Sequence, residues 1–410
     1  MVCEKSEFAG KNNEIALKMD KECMFKIQNT RLPETAQYGH IPGLDGLRAI
    51  SVLIVIIAHM GFENLIPGGF GVTVFFFISG FLITRLLLAE SEQKNGIKLG
   101  KFYMRRAIRL YPALLFMVYT TMCAYIIFGY GRPVLAELLA AVGYFTNFYQ
   151  VSERIGGSLP FMPWTHLWSL AVEEHFYLGF PLLVILFRKS WRNLATALFV
   201  IIGAAALWRS YIAFGTNLPA EDYNYMMTDA RLDSLAWGCL LSVLLHIKGS
   251  ASYFKKFIGL IPTVLGFAGL AASFLIRDDS FRYTLRFSLQ GLSIFVLVLN
   301  LYYWKALDFA FNILDWKPLA WVGTVSYALY LWHVPLIDLF VRGFGDTMGS
   351  RVAAVAFSVA TAAFSFRYVE KPFIAMRRKF GSHVGGAVDA TSTTPELPTV
   401  DPLATTSHTN

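Results

Sequence analysis

Charge is scarce in this sequence. Charged residues fill 16% of its 410 positions, where a soluble globular domain carries about 25%. Long apolar runs replace the missing charge and hydrophobic residues reach 55%, which excludes water as the chain's main solvent. Cysteine is also rare. It occurs at positions 3, 23, 123 and 239, with no C-x-x-C pair and two of the four inside apolar runs. That pattern excludes a disulfide framework and a zinc site. The first forty residues are polar and mixed in charge, with no apolar core followed by a cleavage site. A cleaved signal peptide is therefore not expected, and the first apolar helix serves as its own insertion signal. No internal repeat or soluble second domain is evident. The formal charge of +8 would suit a nucleic-acid partner in a soluble chain. In an apolar chain it points to positive loops facing a cytoplasm, and no nucleic acid is expected.

What is present is a series of apolar stretches near the roughly 20 residues that cross hydrocarbon. They predict about ten helices, near 46–63, 69–89, 110–130, 165–187, 194–215, 230–247, 257–276, 284–304, 319–341 and 352–370. The stretch "VLAELLAAVGYFTNFYQ", 134–150, is short and ends in polar and aromatic residues. It reads as an interfacial or re-entrant helix. With the N-terminus inside, the inner loops hold well over twice as many lysines and arginines as the outer ones, so both termini are expected in the cytoplasm. The fold class is thus all-α, a polytopic membrane helical bundle in the cell (cytoplasmic) membrane. A polar cytoplasmic segment, 1–40, precedes a membrane domain, 41–376. A tail follows, 377–410, whose Gly, Ser, Thr and Pro content predicts disorder.

Several stretches keep polar groups where hydrocarbon penalises them. "GLDGLRAISVLIVIIAHM", 43–60, carries Arg48 and His59. Eleven positions are about three turns plus 20°, so the two share a face, about 16 Å apart along the axis. Arg48 is expected at the cytoplasmic mouth and His59 near mid-membrane. Each alone reads as an anchor or a satisfied buried histidine; the shared face favours a polar channel leading inward. Asp45 reads as an N-cap. "FYMRRAIRLYPALL", 102–115, sets Arg105, Arg106 and Arg109 at i,i+3 and i,i+4 spacings. They are either a positive-inside anchor or a set of planar forks for phosphate oxygens, suiting a phosphorylated cofactor that sends an arm inward. "PWTHLWSLAVEEHFYLGFPLL", 163–183, brings His166, Glu173 and Tyr177 to one face. An aromatic belt explains its tryptophans but not the adjacent Glu173 and Glu174.

Weaker signals accompany these. Arg231 and Asp233 are expected to neutralise each other at the outer end of a span. His333 in "SYALYLWHVPL", 326–336, reads as structural, with Pro335 just beyond. Gly71 and Gly80 in "GGFGVTVFFFISGFLI", 68–83, suit close helix packing. Ser79 in the same run has no base adjacent in sequence, so it too reads as packing.

Taken in order, "GLDGLRAISVLIVIIAHM" with its R-x10-H spacing, "GGFGVTVFFFISGFLIT", "FYMRRAIRLYP", "HLWSLAVEEHFYLGFPLL", "VSYALYLWHVPL" and "SFRYVEKPF" resemble the integral-membrane type-3 acyltransferase family, across roughly 40–375. The resemblance implies a ten-helix fold, O-acyl transfer to a surface polysaccharide or related glycan, and acyl-coenzyme A (acetyl-coenzyme A by family weight) as donor, with no tightly bound cofactor and no metal. It implies a catalytic histidine at His59 and functional arginines at Arg48 and in the cluster Arg105, Arg106 and Arg109. His59 then acts as general base on the acceptor hydroxyl, an acyl-histidine being the variant route. Glu173 or Glu174 stabilises the imidazolium or binds the acceptor. His175 departs from the family pattern, which more often has glutamine there. Some family members carry a fused extracytoplasmic hydrolase-like domain, which is not expected here. A different class remains open, a transporter or lipid flippase with His59, Glu173 and Glu174 as a proton relay, and after it a non-catalytic membrane scaffold.

Overall fold

The structure is a computed structural model that describes residues 32, 41–93, 96–159, 161–247 and 254–376. The expected N-terminal segment, apart from Leu32, and the expected C-terminal tail lie outside these residues. Among the described residues every regular element is helical. Nine of the ten apolar stretches named above each form one helix, and the other, 319–341, is divided between two. We number the helices α1 Leu44–Ile57, continued by a π-helical turn Ala58–Phe62; α2 Gly68–Gln93; α3 Leu99–Ile127; α4 Leu135–Val142; α5 Thr146–Ile155; α6 Trp168–Leu186, preceded by a 3-10 turn Thr165–Leu167; α7 Trp191–Gly215; α8 Ala220–Met226; and α9 Thr228–His246. The rest are α10 Leu260–Leu275; α11 Asp279–Tyr283; α12 Arg286–Tyr303; α13 Asp308–Leu314; α14 Lys317–Thr324; α15 Ser326–Phe344; α16 Met348–Ser365, continued by a π-helical turn Phe366–Glu370; and α17 Lys371–Met376.

Six of these helices are long and apolar enough to cross a membrane on their own. Two further candidates are broken: Arg286–Tyr303 meets Lys305–Leu314 at 93°, and Lys317–Thr324 meets Ser326–Phe344 at 68°. α10 is shorter, with 16 residues. α9 is long, but Asp229, Arg231 and Asp233 fall in its first turns. The 134–150 stretch is two short helices, α4 of 8 residues and α5 of 10, each too short to cross. The reading of that stretch as interfacial or re-entrant fits those lengths.

α9 is the interior helix. It packs against α2, α7, α6 and α12, and nearly all its side chains from Ala230 to Val243 are buried. It can carry charge because it meets protein on its flanks, where polar groups find partners that lipid cannot supply. Its approach to α2 is set by two glycines in reciprocal contact. A Cβ on Gly80 would stand 2.1 Å from the Leu235 carbonyl oxygen, and one on Gly238 would stand 1.9 Å from that of Phe77. With no side chain at either point the backbones touch, as small-residue interfaces in membranes require. Gly71 does the same against α1, where a Cβ would lie 2.5 Å from the Ser51 oxygen. The expected packing roles of Gly71 and Gly80 are met.

Candidate active site

Helices α1, α2, α3, α6 and α15 enclose a cavity of about 120 Å³. Arg48 of α1 and Arg106 and Arg109 of α3 line it, with Ser79 of α2, Glu173, Glu174 and Tyr177 of α6, Tyr144 between α4 and α5, and Tyr327 and Tyr330 of α15. The expected arginine cluster is therefore split. Arg105 turns to α2, where it pairs with Glu90 at 2.6 Å. Arg106, one residue or about 100° round the helix, enters the cavity with Arg109 and is joined there by Arg48. Asp45 is not the N-cap: α1 begins at Leu44 after Gly43, and Asp45, in the first turn, accepts a hydrogen bond from Arg48 at 2.9 Å.

One arginine answers for the paired glutamates. Arg106 Nη2 donates to Glu174 Oε1 at 3.0 Å and stands 3.7 Å from Glu173 Oε1. Its guanidinium lies 3.4 Å from the centroid of the Tyr177 ring, a cation–π contact in a largely desolvated place. Tyr177 donates to Glu173 at 2.8 Å. Ser79, which sequence reading left without a base, donates to Glu173 and shares a hydrogen bond with the Tyr177 hydroxyl. The hydrogen bonds of Glu173 and Glu174 thus go to Arg106, Ser79 and Tyr177, none to a histidine. Arg106 Nε is buried and has no protein partner.

The histidines gather elsewhere. His59 was expected near mid-membrane, but α1 runs from Leu44 to its π-helical end at Phe62, which puts His59 in the last turn. π turns of this kind are frequent at functional sites. His59 Nδ1 lies 2.9 Å from the Val55 oxygen and 3.3 Å from His333 Nε2. His333 is wholly buried and its Nδ1 lies 2.7 Å from the Tyr330 oxygen. His166 packs its ring against His333, centroids 5.3 Å apart. It was expected on the Glu173 face, but residues Thr165–Leu167 form a 3-10 turn, so the 100° step does not carry back from α6 to His166. Its Nε2 instead meets the Leu331 oxygen at 3.1 Å. Pro335 stands four residues after Leu331 inside α15; having no N–H, it leaves that carbonyl without its usual helical donor.

Tyr330 joins the two regions. Its ring contacts His166 and His333, centroids 5.4 Å away in both cases, and its side chain also lines the cavity. Its hydroxyl donates to the His166 oxygen at 2.8 Å and meets Ser169 Oγ at 2.6 Å. Behind His59, Arg351 Nη1 reaches the His59 carbonyl at 3.4 Å and grips Asp346 by two bonds of 2.7 and 3.0 Å. That grip holds the Asp346 carboxyl, in the loop before α16, below the usual carboxylate range.

Arg231 and Asp233 do not form a direct ion pair with each other. Asp233 pairs with Arg209 of α7 at 2.7 Å, both side chains wholly buried. Arg231 donates to Thr73 Oγ1 and the Tyr225 oxygen and stacks 3.9 Å from the Phe287 ring centroid. Arg209 sits within an apolar run, a placement that itself signals function or pairing; sequence reading passed over it, as it did Tyr330. His175, the departure from the family pattern, bonds Thr228 of α9 at 2.8 Å and does not line the cavity. Among the described residues no group of His, Cys, Asp and Glu side chains is arranged to hold a metal ion.

Comparison with known proteins gives the family. Residues 41–369 match the family model described as an acyltransferase domain. The O-acetyltransferase OatA of Staphylococcus aureus (strain NCTC 8325 / PS 47) is 32% identical over 362 residues, 83% of this chain and 58% of that protein. The peptidoglycan O-acetyltransferase OatA of Listeria monocytogenes is 30% identical over 372 residues, 83% of this chain and 57% of that protein. The putative peptidoglycan O-acetyltransferase YrhL of Bacillus subtilis is 30% identical over 361 residues, 83% of this chain and 56% of that protein. The chain therefore spans less than two thirds of the length of these relatives. No solved structure matches it.

Proposed function

The chain belongs to the acyltransferase-domain family, and on that premise we propose that it is a membrane O-acyltransferase. It moves an acyl group, acetyl by the names of its relatives, from acyl-coenzyme A to a hydroxyl of a cell-surface glycan, peptidoglycan being the acceptor those names favour. One observation carries the reading: three arginines from two helices meet in a cavity whose far wall, Tyr330, packs against the histidine cluster.

The residues fit such a donor. Arg48, Arg106 and Arg109 offer planar donors suited to phosphate oxygens, and Arg106 keeps a buried Nε–H without a protein partner. Glu173 and Glu174 fix the Arg106 fork, while Ser79 and Tyr177 hold Glu173. Bound acyl-coenzyme A supplies a thioester, whose carbonyl is open to attack by an oxygen nucleophile. At the other end, His59 takes the proton of the acceptor hydroxyl as that oxygen bonds to the acyl carbon. The carbon–sulfur bond breaks, and the proton leaves His59 for the departing thiolate. A histidine is suited to hold and release a proton near neutral pH. On this reading the acyl arm passes Tyr330, which lines the arginine-lined cavity and touches the histidine cluster, to reach His59, and the arginines face the cytoplasm, where the donor is made.

The test is acyl transfer in proteoliposomes with radiolabelled acetyl-coenzyme A and a soluble glycan acceptor. His59→Ala should reduce transfer at least about 100-fold, the usual scale of general-base catalysis, with the thermal transition of the protein kept. Near-normal transfer by the folded variant removes His59 from the reaction. No transfer by the wild type from acetyl-coenzyme A, together with transfer from another acyl donor, removes the donor assignment alone.

A further inference from the structure

In a Ser-His-Asp triad a carboxylate on Nδ1 sets the tautomer of the catalytic histidine. Here the two hydrogen bonds of the His59 ring go to a backbone carbonyl and to another imidazole, and those partners decide where each proton sits. A carbonyl oxygen only accepts. His333 Nδ1, 2.7 Å from the Tyr330 oxygen, therefore carries hydrogen. In the neutral ring that leaves His333 Nε2 as an acceptor. His59 Nδ1, 2.9 Å from the Val55 oxygen, must likewise carry hydrogen. The same N–H points toward His333 Nε2 at 3.3 Å, so one donor is shared between two acceptors. The assignment is consistent around the pair, and its mirror is not. Hydrogen on His333 Nε2 would set N–H against N–H.

We infer that His333 is a positioning residue: with the Val55 carbonyl it holds His59 in the tautomer that has hydrogen on Nδ1 and an open lone pair on Nε2. The inference rests on the reading of His59 as the base and adds which nitrogen acts. The arrangement also survives the reaction. When Nε2 takes a proton from the acceptor, Nδ1–H remains a donor and both of its acceptors remain in place. No group has to turn during the proton transfer, which is what preorganisation requires. The two rings also differ in access. His333 is wholly buried, whereas His59 reaches the surface of the bundle at the end of α1, where an acceptor arriving from outside could meet it. His166 backs the far side of the His333 ring, and the Leu331 carbonyl fixes His166 in turn.

The direct test is solid-state NMR of the full chain in liposomes, with nitrogen-15 histidine, the His59 signals being assigned by their loss in His59→Gln. The expected spectrum has Nδ1 protonated and Nε2 unprotonated; a protonated Nε2 with a bare Nδ1 overturns the inference. Two variants provide the functional test. Gln in His333→Gln places an amide oxygen near the Nε2 position and keeps an acceptor; Leu in His333→Leu keeps bulk and removes it. His333→Leu should lower kcat by about 100-fold, the low end of general-base effects, with the KM for donor unchanged because His333 does not line the cavity. His333→Gln should recover most of that loss. Equal activity of Leu and wild type, or equal losses in Gln and Leu, overturns the inference. If His59→Ala keeps full transfer, the base assignment fails, while the tautomer read from the spectrum still stands or falls separately.

Discussion

Arg106 stands 3.0 Å from Glu174 and 3.7 Å from Glu173 while its guanidinium covers the Tyr177 ring. One side chain thus reaches two adjacent carboxylates through a planar fork, a geometry that a point-charge ammonium does not reproduce. Arg106→Gln should destabilise the protein by about 1.5–3 kcal/mol, the scale of a hydrogen bond to a charged group. Arg106→Lys should recover only part of it. Thermal unfolding in detergent, followed by intrinsic tryptophan fluorescence, measures both.

The split of the arginine cluster gives a sharper test of donor binding. Arg48 and Arg109 line the cavity, whereas Arg105 is spent on Glu90. Arg48→Gln and Arg109→Gln should each weaken binding of a non-hydrolysable acyl-coenzyme A analogue by about tenfold, since a charge-assisted hydrogen bond contributes about 1.5–3 kcal/mol. Their salt dependence should flatten as well. Arg105→Gln should change affinity by less than about twofold. Titration calorimetry in nanodiscs across a salt series separates the three.

The Arg209–Asp233 pair is wholly enclosed, and Asp233 also accepts from Ser288 at 2.7 Å. Asp233→Leu or Arg209→Leu alone should cost about 3–5 kcal/mol, and the double variant Arg209→Leu with Asp233→Leu should cost less than the sum. A double-mutant cycle on melting temperatures is the measurement. Strict additivity would mean that the pair has no coupling.

At the α2–α9 contact, Gly80→Ala or Gly238→Ala would drive a methyl into a carbonyl. Each should lower stability by about 1–3 kcal/mol, as overpacking does. Gly179 of α6 has open space where its Cβ would go, so Gly179→Ala should be neutral or slightly stabilising. Comparing the three melting temperatures tests whether contact rather than helix propensity governs.

The helices were legible because each apolar run is long enough to announce itself. The cavity-lining arginines and the glutamates were legible for a related reason: ionisable groups inside such runs are costly. What the sequence left open was pairing across helices. Asp233 chose Arg209 over its near neighbour Arg231, because partner choice depends on which helix α9 packs against. Ser79 found its carboxylate ninety-four positions away. His59 lies at the end of its helix, which spacing from Arg48 could not give, since it sets a separation along the axis but no origin, and α1 starts only four residues before Arg48. His166 was misassigned because a wheel drawn from α6 fails at the 3-10 turn before it. Tyr330 lay in a quoted stretch, three residues before His333, and carried no charge to draw the eye.

The enclosed Arg209–Asp233 pair also bears on how the chain enters the bilayer. Synthesis delivers α7 before α9, so Arg209 emerges first, with its carboxylate still to come. Placed alone at the centre of a bilayer, either residue costs about 2.5–3.5 kcal/mol on the insertion scale. α7 and α9 are separated by only a short connection containing α8. The two helices should therefore leave the translocon as one hairpin, already ion-paired, with α7 waiting beside the channel until its partner arrives.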